Sequence, residues 1–464
     1  LAADVRTRLG KWRQADAKYR LLFLMTALYP LLVVPGQWKL SFWGNYQWDY
    51  FYAPRYLVLA AVSLWALAVL FKERARFSHR AFIPLGVFLF CALVAVSLAA
   101  YPLTAWVGAP LRYTGLCTYL FCIILFILAS CTADGTRLLP YMAASAAVVS
   151  FLAVLQACGF NPVPHEAFRE GLTAYGTLGN PDYLGTYAAF VLPAALQIYL
   201  GRRRPVWLAA AAVIYAGLLV SFNWGAWLGA FWGLAVIVRY NFSSGSKKAW
   251  LAPAGALLAV TLVFAAGVVF WGLAGKVGVV SLREQAAVWE NTLQLLSGCW
   301  AFGLGPDHLV HVVRMLPFAF LLDKTPSLYI ETAVAMGAFA LLAYLTFFGF
   351  VLREMGRQLP ARCELLAMIV VYLVQGLFHF ETILVMPLFW IVLGLVMAGA
   401  DGALPGEAAA KEGALTTENA RGGSKNGPAV SAGGRLYPAG SDYHSGRPGL
   451  FGRHGDAFHR PPGQ

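Results

Sequence analysis

Charge is what this chain is short of. Only 12% of its 464 residues are Asp, Glu, Lys or Arg, against about 25% in a soluble globular domain. It also lacks paired cysteines. There are seven, and no CxxC occurs; Cys91, Cys117, Cys122 and Cys131 fall in or at the end of apolar blocks, which excludes a disulfide framework or a zinc site. Acidic residues are scarce beside basic ones, 22 against 35, for a net charge of +13. The basic residues sit in short turns between apolar blocks, which is a topology signal and excludes a nucleic-acid surface as the reading of the charge. The blocks also lack the two-residue alternation of a transmembrane β-barrel.

What the chain does have is apolar length. It is 59% hydrophobic and 14% aromatic, and many runs approach the 17–25 residues or so that cross a bilayer as a helix. The expected fold class is therefore all-α, a polytopic membrane protein of about 12 transmembrane helices. Spans are expected at roughly 21–35, 56–71, 81–100, 114–131, 138–158 and 183–200. The 33-residue run 206–238 has basic residues at both ends and is too long for one span, so it splits in two near Ser221-Phe222-Asn223. Further spans follow at roughly 249–273, 327–351, 364–380 and 384–400. This path leaves 20 Lys and Arg in short segments on one side and 8 in the longer loops opposite, so the first side is cytoplasmic. Residues 1–20, with Arg6, Arg8, Lys11, Arg13, Lys18 and Arg20, are expected to be a basic cytoplasmic lead-in and not a cleavable signal. Residues 21–400 form the membrane domain, with a large extracytoplasmic loop, 274–326, before the tenth span. Residues 401–464, rich in Gly, Ala, Ser and Pro, read as a disordered cytoplasmic tail.

The long loop is where chemistry is expected. Ser281 and Glu284 form a capping box. After it, Leu282, Ala286, Trp289, Leu293 and Leu296 recur at helical spacing, with Arg283 and Glu290 on the opposite face. This predicts a helix lying on the outer surface. Gly303-Leu304-Gly305-Pro306 breaks the chain, and Asp307 can cap a second helix that places His308 and His311 one turn apart. These three could hold a metal, but a further ligand is not evident, and a cap with two interfacial histidines is the commoner arrangement. Arg283, and Arg112 in VGAPLRYTG, occupy positions where an arginine fork can hold a lipid-linked phosphate or diphosphate. Either can instead anchor its helix at the interface.

Several stretches together resemble the O-antigen ligase/polymerase family of membrane glycosyltransferases. TAWVGAPLRYTGLCTYL is similar to the family's G…R-x-x-G-L segment, and GTLGNPDYLGTYAAFVLP to its G-N-P-N-x-L-A stretch. LREQAAVWENTLQLLSGCWAFGLGPD resembles its Arg…Trp helix followed by P-x-x-G-x-G, and DKTPSLYIETAVAMGAFALLAYL its D-R-x-H-N-x-Y-L-E segment. The match runs in order over most of residues 50–400. The resemblance implies a transferase in the bacterial cytoplasmic membrane, both termini inside. It would move or polymerise glycan from a polyprenyl-diphosphate carrier onto a glycan or lipid acceptor at the outer face, by an inverting reaction that uses no nucleotide sugar, metal or other cofactor. Arg112 and Arg283 match its diphosphate-binding positions. Two positions depart from the pattern. Pro326-Ser327 stands where the family has His-Asn, and Asn223-Trp224-Gly225-Ala226-Trp227 where it often has S-R-G-A-W. Glu331, Asp323, His308 and His311 are therefore the candidates to replace the missing base. Glu331 falls about one turn inside the tenth span, where an ionisable side chain signals function or a buried partner. Glu381 is a weaker candidate. A non-catalytic member, or a small-solute, bicarbonate-like transporter on the same fold, is the alternative.

Overall fold

An apolar medium offers no partner for a bare peptide group, so a chain that crosses it must satisfy its backbone internally. The computed structural model describes residues 16–34, 37–38, 47–74, 80–132, 134–163, 174–242, 250–271, 282–313 and 324–401, and these are helical almost throughout. The expected lead-in up to residue 15 and nearly all of the expected tail lie outside the described residues, as does the separate unit Leu404–Gln464.

The elements in order are α1 (Ala17–Phe23), which runs on through single π and 3-10 turns to Leu31, then β1 (Gln37–Trp38) and β2 (Gln47–Trp48), a two-residue antiparallel pairing. Next come α2 (Tyr52–Lys72), α3 (Phe82–Leu98), α4 (Pro102–Val107), α5 (Leu116–Ser130), α6 (Leu139–Ala157), α7 (Pro181–Arg202), α8 (Pro205–Val220) and α9 (Trp224–Phe242). They are followed by α10 (Leu251–Trp271), α11 (Leu282–Cys299), α12 (Leu309–Val313), α13 (Leu328–Arg357), α14 (Cys363–Gln375) and α15 (Met386–Asp401). Among the described residues, five stretches are long and apolar enough to cross a bilayer: α2, Gly135–Ala157, α7, Leu251–Val269 and α13. Shorter apolar helices, α3, α5, α8, α14 and most of α15, accompany them. The architecture fits the helical membrane class expected from composition. The 206–238 run does break where its length demanded, between Val220 and Trp224, with Phe222 at φ +52°.

Position in the bundle follows residue size and polarity. Every residue of α7 from Tyr183 to Leu196 is buried, and the segment carries Gly185 and four alanines, which let neighbouring backbones approach closely. A β-carbon at Gly185 would stand 2.6 Å from Ser221 Oγ. At the other extreme α10 exposes Leu258, Leu262, Val263 and Val269, as a lipid-facing helix would.

The two ends of the bundle differ in charge. Lys72, Arg74, Arg80, Arg137, Arg202, Arg203, Arg204, Arg239, Arg353, Arg357 and Arg362 flank helix termini at one end. There Gln358 Nε2 and Arg362 Nη1 donate to Val396 O (2.8 Å) and Leu395 O (3.3 Å). At the opposite end the starts of α7, α9 and α13 meet the end of α14. Leu328 N donates to Gly376 O (2.7 Å), Thr186 Oγ1 to Gln375 Oε1 (3.0 Å) and Asn223 Nδ2 to Asp182 Oδ1 (3.1 Å). The candidate site is at this second end.

Candidate functional site

The loop enters the bundle through a broken helix. The expected tenth span is α13, but it is not continuous: Gly337 has φ +90° and ψ 166°, which interrupts the helical ladder. The stranded groups find partners in the loop. Leu304 N and Gly305 N donate to Val334 O (2.8 Å) and Ala335 O (2.9 Å), and Ala338 N donates to Trp300 O (2.7 Å). Only glycine tolerates this contact. A β-carbon at Gly337 would lie 2.1 Å from Ala301 O, and one at Gly303, itself at φ +74°, would lie 2.4 Å from Ala335 C.

Beyond this junction the chain buries an acid–base cluster. Asp307 does not cap the following helix, as its local sequence suggests; it has φ +56°, and its carboxylate turns to the loop before α5. There it accepts from Ala109 N (3.0 Å), Thr114 N (3.0 Å) and Thr114 Oγ1 (2.6 Å), and it pairs with Lys324 Nζ (2.5 Å). Lys324 Nζ also reaches Glu331 Oε1 (3.3 Å), while Glu331 Oε2 accepts from Thr325 N (2.9 Å). Burial alone would push the Asp307 carboxyl up; the Lys324 charge and the Thr114 donors outweigh it and hold it below the usual carboxylate value. Burial would likewise lower Lys324, and the two carboxylates reverse that and raise it.

The surface helix α11 forms as expected, rotated from the expected stripe. Ala286 and Leu293 are exposed, and Gln285, Val288, Trp289, Thr292, Leu295 and Leu296 turn inward. The reason is a polar dock: Trp289 Nε1 donates to Pro326 O (3.1 Å), and Thr325 Oγ1 meets Thr292 Oγ1 (3.3 Å). Glu290 is exposed. Arg283 lies in the first turn of α11, with its side chain outside the described residues; Asp323 and Ser281 are outside them too.

A second cluster surrounds Arg112. Its loop is contorted: Gly108 has φ +104°, and Leu111 and Tyr113, on either side of Arg112, have φ +65° and +51°. Left-handed backbone at two bulky residues is costly and gathers at functional positions. The half-buried guanidinium donates through Nη1 to the Tyr183 hydroxyl and lies 5.2 Å from the centroid of the Phe380 ring. Lys324 Nζ lies 5.6 Å from the same ring. Each cation gains from the ring; they repel one another, and Asp307 and Glu331 already offset the charge on Lys324. His379 packs against Tyr183 and Phe380, with ring centroids 5.5 and 4.7 Å apart. Asp182 is exposed and is bonded to Asn223, whose own Oδ1 accepts from Ala226 N (2.8 Å) at the start of α9.

The remaining candidates are placed as follows. His308 Nε2 accepts from Tyr101 N (3.0 Å), and its Nδ1 lies 3.0 Å from Pro306 O; burial pushes the imidazole below its ordinary value, and the neutral ring protonated on Nδ1 satisfies both contacts. His311 stacks on Tyr101 at 4.1 Å. Among the described residues no three His, Cys, Asp or Glu side chains gather as a metal-binding group. Glu381 is buried inside the bundle, accepting from Tyr344 (2.8 Å), Tyr119 (3.0 Å) and Tyr372 (3.3 Å) hydroxyls. Arg112 thus joins Lys324, Tyr183, His379 and Phe380, none of which the sequence singled out. No protein-family model and no curated protein matches the chain.

Proposed function

We propose that this chain is a membrane glycosyltransferase of the O-antigen ligase/polymerase kind. It takes glycan from a polyprenyl-diphosphate carrier and transfers it to a glycan or lipid acceptor at the outer face of the bacterial cytoplasmic membrane. The observation that carries this reading is the convergence of Arg112 and Lys324 on the Phe380 ring. It lies at the end of the bundle away from the basic termini, where a carrier diphosphate in the outer leaflet would be presented. In this reading the helices make twelve spans with both termini inside, and Arg283 on α11 supplies a second diphosphate contact. Departure of the diphosphate builds negative charge on its bridging oxygen. Fixed cations at that oxygen lower the barrier without reorganising.

The test is glycan transfer or lengthening by the purified protein, supplied with an undecaprenyl-diphosphate oligosaccharide and an acceptor. Arg112→Ala should cost on the order of 100-fold in turnover. Carrier binding without turnover, under conditions where a relative with the His-Asn pair is active, would overturn the reading. A small-solute transporter is the second reading, favoured by the break at Gly337 and by the non-helical segment around buried Glu381. Solute flux into proteoliposomes without glycan transfer would select it.

A further inference from the structure

His379 sits one residue from the ring that gathers both cations, in the non-helical connection between α14 and α15. It is 93% buried by its 7% exposure, yet neither ring nitrogen makes a hydrogen bond of normal geometry among the described residues, and the Phe380 backbone is the one polar group of its own segment acting on the ring. Buried polar atoms are normally paired, and an exception calls for an explanation. His308 shows the ordinary outcome in the same protein, with a partner at each nitrogen. Packing for its own sake would favour an apolar side chain at 379. Its surroundings are polar and charged. Tyr183 and Asp182 face His379 from α7, Arg112 comes from the loop before α5, Lys324 lies across Phe380, and Glu381 is two residues on. Tyr183 links the pair directly: its ring packs on His379 and its hydroxyl takes the Arg112 hydrogen bond.

We propose that His379 is the proton acceptor for the acceptor hydroxyl, in the place left by Pro326-Ser327. This rests on the transferase reading. The hydroxyl oxygen attacks the anomeric carbon of the carrier-linked sugar and forms the new glycosidic bond. Its proton passes to an imidazole nitrogen of His379. The bond from the anomeric carbon to the diphosphate oxygen breaks, and its electron pair leaves with the diphosphate beside Arg112. His379 then returns the proton to water.

The test compares wild type, His379→Asn and His379→Ala for carrier binding, transfer rate and pH profile. Both variants should bind the carrier as wild type does and lose about 100-fold or more in turnover. The wild-type rate should fall as pH drops through the imidazole pKa, a limb the variants lack, and added imidazole should restore part of the His379→Ala rate. A His379→Asn protein with the wild-type rate and pH profile overturns the assignment while leaving the transferase standing. So does equal loss of binding and turnover without imidazole rescue, which marks a purely structural residue. A wild-type protein that binds carrier and transfers nothing overturns both.

Discussion

Two polar clusters share one end of the bundle and are built on opposite terms. Around Asp307, Lys324 and Glu331 every carboxylate oxygen has a partner, and the ammonium lies between two acids. Around Arg112 and His379 an arginine leans on a tyrosine hydroxyl, a histidine makes no hydrogen bond of normal geometry among the described residues, and the backbone is held in left-handed turns. A satisfied buried network rigidifies what it ties together, here the loop, the start of α13 and the turn before α5. Its carboxylate oxygens are all taken, and the Lys324 ammonium, with two acids for three hydrogens, is the one donor it shares with a ligand. The second cluster has acceptor capacity at His379, and the first holds it in place, because Asp307 fixes the turn that carries Arg112. Lys324 belongs to both.

The largest expected effect of breaking the first cluster comes from Asp307→Ala. It strands Lys324 beside Glu331 alone and leaves Ala109 N, Thr114 N and Thr114 Oγ1 without their acceptor. The expected loss is about 3–5 kcal/mol of stability, read as a lower Tm in detergent; a Tm near wild type would undo the distinction between the clusters. The pH dependence follows from the same charges. Asp307 is depressed in the fold, so its contribution is complete above the unfolded carboxylate value of about 3.9 and is lost as pH falls through the lower folded value. Lys324 is raised, so its contribution is complete below about 10.4 and is lost as pH rises through the folded value. The contribution of this pair is therefore constant between these limits, and the variant should lose the part of the acid-side fall that Asp307 supplies.

A smaller loss is expected at the junction that feeds both clusters. Gly337→Ala forces a β-carbon onto Ala301 O and strains a residue at φ +90°. About 1–3 kcal/mol should go, whereas Gly86→Ala, which meets nothing within 4 Å inside α3, should be neutral or slightly stabilising. Equal Tm values for the two variants would mean the loop does not depend on the break.

How much of this could be read from sequence divides along the range of the interaction. Helix positions follow from runs of apolar residues, which are local, and so did the break at Ser221–Asn223, forced by length. Arg112 was visible as a cation in a Gly-Pro turn between spans. The Gly337 break was not: AVAMGAFA is uniformly apolar, and its missing bonds are filled by residues 30 or more positions away. Asp307 carried a local cap signature, but its partners Ala109 and Thr114 come from some 190 positions earlier. The stripe on α11 was misplaced because a helix at an interface turns polar Thr292 inward to meet Thr325 and leaves Leu293 exposed. His379 had one usable signal, an ionisable residue between two apolar helices, and no motif around it.

Glu331 gives the smallest effect and the sharpest comparison. Sequence places it where a substitute base is wanted, and the fold gives both its oxygens to Lys324 and Thr325 N. A base must release a proton-accepting lone pair to the substrate at each turnover, and an oxygen bonded to an ammonium is poorly disposed to do so. Glu331→Gln keeps an amide oxygen that can accept from Thr325 N and removes only the charge facing Lys324, which retains Asp307. The expected cost is about 1–2 kcal/mol in stability, with turnover within a few-fold of wild type. If Glu331 were the base, the same substitution would cost about 100-fold or more in rate with Tm changing little. Rate and Tm measured on one preparation therefore assign Glu331 to the satisfied cluster or to the reactive one, and a large rate loss at unchanged Tm would move the chemistry away from His379.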